Sequence, residues 1–170
     1  GVLKRTSTKL TKICNDIRML ASGPRCGLNE INLPQMQPGS SIMPGKVNPV
    51  IPEVVNQTSF LVIGLDLTVT LAASAGQLQL NVMEPVITYA LFKSISTMEN
   101  AVNSLRVNCV QGITANVERS HDLVLNSLGI ITVLKPLLGY KQCAEIAREC
   151  HQTGKSLHAV VVEERQLLTQ

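Results

Sequence analysis

A chain of 170 residues, 45% of them hydrophobic, is the size of one ordinary domain and can bury about 70% of its unfolded surface. Two Tyr, two Phe and no Trp leave a core of Leu, Val, Ile and Ala, which suits packed helices and argues against an aromatic-rich sheet sandwich. The net charge of +3 comes from scattered Lys and Arg without a basic run, so nucleic acid is excluded as an expected partner.

From Val2 to Leu20 the apolar residues Leu10, Ile13, Ile17 and Leu20 recur three and four apart, which predicts an amphipathic helix. Ser22-Gly23-Pro24 ends it. Residues 23–48 carry four Gly and four Pro and form a long irregular connection, of the kind that is usually functional or disordered. A helix is expected to begin at Asn48 as its cap, with Pro49 and Pro52 in the first turn, and to run to about Leu80 with a kink at Gly64 or Gly76.

Phe60–Ala75 is apolar, but Asp66 interrupts it and it is short of the ~20 residues a bilayer requires. It reads as a helix buried on most sides within a bundle, with no membrane partner. After Pro85, the residues Ile87, Leu91, Ile95, Met98, Val102, Leu105 and Cys109 form one continuous bundle stripe. Residues 112–170 read as a smaller helical region, with helical patterns over 116–128, 141–152 and 157–164 punctuated by Pro136, Gly139 and Gly154.

The expected fold is therefore all-α: a long helical-bundle segment over 1–111 containing the loop 39–49, then a small C-terminal helical domain over 112–170. The chain opens without Met directly in a helical pattern, and Thr169 reads as an N-cap with no helix after it. A piece of a longer protein is expected.

Cys14, Cys26, Cys109, Cys143 and Cys150 form an odd set without Cys-x-x-Cys spacing, so buried, reduced thiols in a cytoplasmic protein are expected. No signal-peptide pattern opens the chain. A metal site from Cys143, Cys150 and His151 is disfavoured by the seven-residue gap and the missing fourth ligand. His121, His151 and His158 read as surface or packing histidines.

Gly39-Ser40-Ser41-Ile42-Met43-Pro44-Gly45-Lys46-Val47-Asn48-Pro49 concentrates two hydroxyls, an ammonium and a carboxamide in one loop. Successive backbone N–H groups in such a loop can form a concave anion site, and the following helix start and Lys46 add positive charge. A carboxylate held there would lie beside a serine whose alkoxide shares the same stabilisation. That serine could take a proton from the carbon next to the carboxylate, and the loop donors would stabilise the resulting aci-carboxylate dianion. Taken alone, however, Gly-Ser-Ser is a turn far more often than a site.

Gly39 to Asn48 resembles the signature of the aspartase/fumarase superfamily, Gly-Ser-Ser-x-Met-Pro-x-Lys-x-Asn. The resemblance extends to Ser22-Gly23-Pro24-Arg25, Gly27-Leu28-Asn29-Glu30-Ile31, Pro52-Glu53-Val54-Val55-Asn56-Gln57, the run from Gly76 to Pro85, and Gly112-Ile113-Thr114-Ala115-Asn116. Within the superfamily, fumarases typically read Gly-Leu-Gly-Glu before the loop and His-Phe-Glu-Leu-Asn after it. Asn29 and the run Gln77-Leu78-Gln79-Leu80-Asn81 point instead to the aspartase branch. Gly45 stands where argininosuccinate and adenylosuccinate lyases carry Tyr.

The resemblance implies an ammonia-lyase that converts L-aspartate to fumarate. Ser40 would be the general base. Ser41, with the backbone N–H groups of Ile42 and Met43, would hold the β-carboxylate, and Lys46 and Asn48 the α-carboxylate. No cofactor is implied as a requirement, and Mg²⁺ enters at most as a regulator. The family assembles homotetramers whose active sites draw on three subunits and on segments upstream of this one, so the 170 residues alone are expected to be inactive. A fumarase, or a helical assembly module that keeps the motif without its chemistry, are the competing readings. Cys26, Leu65, Lys135 and Gln166 depart from the usual pattern, none of them within the signature.

Overall fold

The computed structural model describes residues 1–167 apart from Arg25, Ser40, Ser41, Ile42 and Pro44, so the expectation for Thr169 lies outside it. Helices dominate, and the chain divides into two compact units, Gly1–Ala115 and Asn116–Gln170.

The first unit is built on three helices: α1 (Val2–Leu20), α2 (Val50–Ser74) and α3 (Glu84–Asn108). α2 packs between α1 and α3 over a core of Cys14, Val55, Ala101, Leu105 and Cys109, which Leu10, Ile17, Leu33, Ile51 and Ile113 flank. A two-residue antiparallel ladder, β1 (Ile31–Asn32) with β2 (Thr114–Ala115), ties the connection after α1 to the segment after α3. So short a ladder leaves no alternation to read in the sequence. Beside it, a Cβ on Gly112 would lie 2.5 Å from Pro34 Cγ, so that close approach depends on glycine.

Several expectations are corrected. α2 starts at Val50, and its N-cap is Pro49 with no side-chain cap bond. Asn48 precedes proline, which disfavours helical backbone there, and it contributes its carbonyl to Val50 N–H at 2.9 Å. At its other end α2 stops at Ser74, well before Leu80. Gln77 and Leu80 exchange backbone hydrogen bonds of 2.9 and 3.0 Å in a tight turn, with Leu78 at φ 49°. Asn81 closes both helices: its Nδ2 donates to the carbonyls of Ala72 and Ala73, and its Oδ1 accepts from Met83 N–H.

The buried stripe of α3 is Ala90, Ser94, Met98, Ala101 and Leu105, continued by Cys109, whereas Leu91, Ile95 and Val102 of the expected stripe are exposed. Small residues let α3 approach α2 closely, and that contact sets the inward face. On α1, Ser7 and Cys14 are buried while Ile13 is exposed, for the same reason. α2 is long and apolar enough by length and composition to cross a membrane, yet only 22% of its most apolar window is buried within this chain. With neighbours on two sides only, it leaves Phe60, Leu61, Leu67 and Leu71 exposed, so it is not buried on most sides.

The second unit contains α4 (Val117–Leu125), a 3-10 helix over Leu128–Leu134, α5 (Lys135–Thr153) and a π-helical turn over Ala159–Glu164. Its core is Ile131, Cys143, Ile146, Cys150, Leu157, Val160 and Val161. Pro136 sits in the first turn of α5, where a missing N–H costs nothing. Gly139 (φ 76°, ψ 163°) breaks that helix near its start, and Gly154 (φ 71°) ends it in the left-handed conformation.

All five thiols are free, and four are buried; Cys26 is exposed, contrary to the expectation of a buried set. Burial pushes the Cys14 thiol up to about 11, with the neighbouring Cys109 adding to the shift and Arg18 opposing it. Burial likewise raises Cys109 and Cys150. Because the thiolate is the reactive form, a thiol reagent at neutral pH should modify Cys26 rapidly and the other four only after denaturation. Rapid labelling of more than one thiol in the native chain would contradict this burial pattern.

Candidate active site

The site is framed where the long connection meets the ends of α1 and α2. At its near end, Ser22 Oγ donates to Met19 carbonyl at 2.6 Å and accepts from Leu28 N–H at 3.1 Å, while Glu30 N–H returns to Leu20 carbonyl at 2.9 Å. Gly27 is at φ +102°, and a Cβ there would lie 2.7 Å from Ser22 Oγ, so only glycine permits this fold-back. At the far end, a Cβ on Gly39 would lie 2.8 Å from the Lys46 carbonyl oxygen. The two ends of the signature segment are thus in contact. Lys46 N–H donates to Met43 carbonyl at 3.3 Å, and Gly45 turns the backbone at φ +80°.

A cavity of about 410 Å³ opens beside this neck. Arg18, Ser22, Asn29, Asn32, Gly45 and Lys46 are among its walls. Arg18 and Lys46 therefore border one concavity together with several polar residues, an arrangement suited to a small anion. Arg18 is paired with Glu53, 3.6 Å away. Among the described residues no carboxylate pairs with Lys46, which leaves its ammonium available to a ligand.

The expected site residues are distributed unevenly. Lys46 lines the cavity. Met43 is exposed at the turn, and Asn48 lines a separate small cleft with Leu33, Pro34, Asn108 and Cys109. Ser40, Ser41 and Ile42 lie outside the described residues. Arg18 and Asn32 were not singled out in the sequence. Asn15 and Arg18 lie three apart on α1, as Glu53 and Asn56 do on α2, but that spacing puts each pair on one helix face without pairing the two helices. Cys143 and Cys150 point into the second core while His151 is exposed, and the described residues hold no group of three or more His, Cys, Asp or Glu suited to a metal ion.

Residues 1–64 match the Lyase family, and residues 130–170 match the family described as Fumarase C C-terminus. The aspartate ammonia-lyase of Pseudomonas aeruginosa is 59% identical over 167 residues, which make up 98% of this chain and 35% of that protein. The solved fumarate lyase:delta crystallin of Brucella melitensis superposes with a TM-score of 0.92 at 52% identity, covering 96% of this chain and 36% of the other. The class II fumarase of Schistosoma mansoni superposes with a TM-score of 0.87 at 36% identity, covering 98% and 35%. The chain spans about a third of the length of each.

Proposed function

Because the chain belongs by sequence and by fold to the aspartase/fumarase superfamily, we propose that the whole protein containing it is an aspartate ammonia-lyase. The observation that carries this reading is the unequal similarity along one stretch of chain, much higher to an aspartate ammonia-lyase than to a fumarase. Lys46, a cavity-wall residue with no carboxylate partner among the described residues, adds a physical reason to expect a carboxylate there.

In this reading Ser40 takes the β-proton of L-aspartate. The electrons of the broken C–H bond are held first in the aci-carboxylate, which Ser41 and the backbone N–H groups of Ile42 and Met43 stabilise. They then form the carbon–carbon double bond as the C–N bond breaks, releasing ammonia and leaving fumarate. Lys46 holds the α-carboxylate throughout; Asn48, which lines the separate small cleft in this chain, is assigned to the same carboxylate by the family resemblance alone. The scheme requires no cofactor, and Mg²⁺ has at most a regulatory part. The five unbridged thiols suit a cytoplasmic setting. The exposed apolar residues of α2 and α3, including Phe60, Leu67, Leu91 and Phe92, support assembly into a homotetramer that covers them.

Full-length protein should release fumarate, followed by its ultraviolet absorbance, from L-aspartate and not from L-malate. Preferential turnover of malate would replace this reading with a fumarase. Lys46→Ala should raise KM roughly ten- to a hundredfold with kcat little changed, since a charge-assisted hydrogen bond made equally in ground and transition states is lost.

A further inference from the structure

The polar contacts between the last turns of α1 and the first turns of α2 form a chain that the fold alone does not require. Arg18 is its hub. One arm of the guanidinium, Nη2, faces Glu53 Oε1 at 3.6 Å, and the other, Nη1, donates to Asn15 Oδ1 at 3.4 Å. The same Asn15 Oδ1 accepts from Asn56 Nδ2 at 2.8 Å. Two α1 residues thereby grip two α2 residues, each pair spaced one helical turn apart.

Asn56 is only 5% exposed, and its own Oδ1 has no hydrogen-bond partner among the described residues. Leaving a buried acceptor unsatisfied is unfavourable, and an apolar side chain would avoid it. The half-exposed Arg18–Glu53 pair also contributes little stability. Stability is thus a poor account of this chain of contacts, and placement is a better one. Glu53 lies in the first turn of α2, and its N–H bonds Pro49 carbonyl at 3.1 Å. The backbone feeding that turn carries Lys46, and Arg18 and Lys46 line the same cavity.

We infer that Arg18 is a positioning residue for the lyase site: through Glu53 and the Asn15–Asn56 link it fixes the start of α2, and so the Lys46 ammonium, relative to the end of α1. This rests on the functional reading above, in which Lys46 holds a substrate carboxylate. Arg18 itself does not touch the reacting atoms. Its loss displaces a binding group and leaves the base in place, so the effect falls on substrate binding. Lysine at this position would keep the charge facing Glu53 but lose the fork that reaches Asn15 at the same time.

The test uses the full-length protein with L-aspartate, comparing wild type, Arg18→Met, Arg18→Lys, Glu53→Gln and the double variant Arg18→Met/Glu53→Gln. Arg18→Met should raise KM about tenfold, the size of one charge-assisted hydrogen bond, with kcat within about twofold and Tm unchanged. Arg18→Lys should recover part of the loss. Glu53→Gln should weaken binding in the wild type yet add nothing in the Arg18→Met background, because the two residues act as one unit. An unchanged KM in Arg18→Met overturns the inference. So does a parallel fall in kcat and Tm, which would make Arg18 merely structural, or full additivity in the double variant. A wild type that fails to turn over aspartate would instead sink the functional reading, a result separable from the ratios among variants.

Discussion

In the full-length protein, Ser40→Ala is expected to lower aspartate turnover by ~10²–10⁴-fold, the contribution of a positioned general base. The substitution removes one oxygen and should leave helical content, and with it the circular dichroism of the protein, unchanged. Its expected effect is large because the proton next to a carboxylate is weakly acidic, and an ordinary serine is a poor base in water. Both obstacles are lowered together if the alkoxide and the aci-carboxylate are stabilised by the same set of donors and cations. A variant retaining normal turnover would show that another group removes the proton. A variant that loses helicity along with activity would say nothing for the base and would mark Ser40 as structural.

Gly39→Ala should be nearly as damaging, for a geometric reason. The new Cβ would sit 2.8 Å from the Lys46 carbonyl oxygen, closer than carbon and oxygen tolerate, and the obstacle is backbone that cannot rotate away. The neck of the signature segment has to open, carrying Lys46 with it. A displacement near 1 Å at a site that depends on alignment costs about 10²-fold in rate. The measurement is kcat/KM for aspartate in Gly39→Ala full-length protein, with Tm recorded alongside. A kcat/KM within twofold of wild type would mean that the neck yields without moving Lys46, and that the closeness of Gly39 and Lys46 has no functional weight.

These two expectations differ in how far each was legible in the sequence. The importance of Ser40 comes from the resemblance of Gly39 to Asn48 to the superfamily signature, and no periodicity argument reaches it. The role of Gly39 as a contact point became visible only once the fold brought Lys46 carbonyl against it. Local signals act where they are local: the bounds of α1 and the glycine that closes α5 follow from neighbouring residues, whereas Pro136, expected as a break, sits inside the first turn of α5.

Misreadings arose where a tertiary partner decides. α3 carries more than one row of apolar residues. Spacing favoured the row with Leu91, Ile95 and Val102, whereas packing against α2 selected Ala90, Ser94 and Ala101. The run Gly76 to Leu80 continued the apolar pattern of α2, and only the two-way capping by Asn81 shows why the helix must stop. Leu78 is 99% exposed at a positive φ there, a choice propensity would not make. The Arg18–Glu53 and Asn15–Asn56 contacts join residues 35 and 41 positions apart, and no single-sequence signal pairs them.

In the proposed mechanism the signature segment holds a dicarboxylate with a serine against its methylene carbon. The most direct measurement is a crystal structure of the full-length protein soaked with succinate, which binds without reacting. One carboxylate is expected within hydrogen-bonding distance of Lys46 Nζ, the other on the loop donors, and Ser40 Oγ facing the carbon between them. Succinate bound away from this cavity, or Ser40 turned from it with the ligand in place, would contradict the assignment.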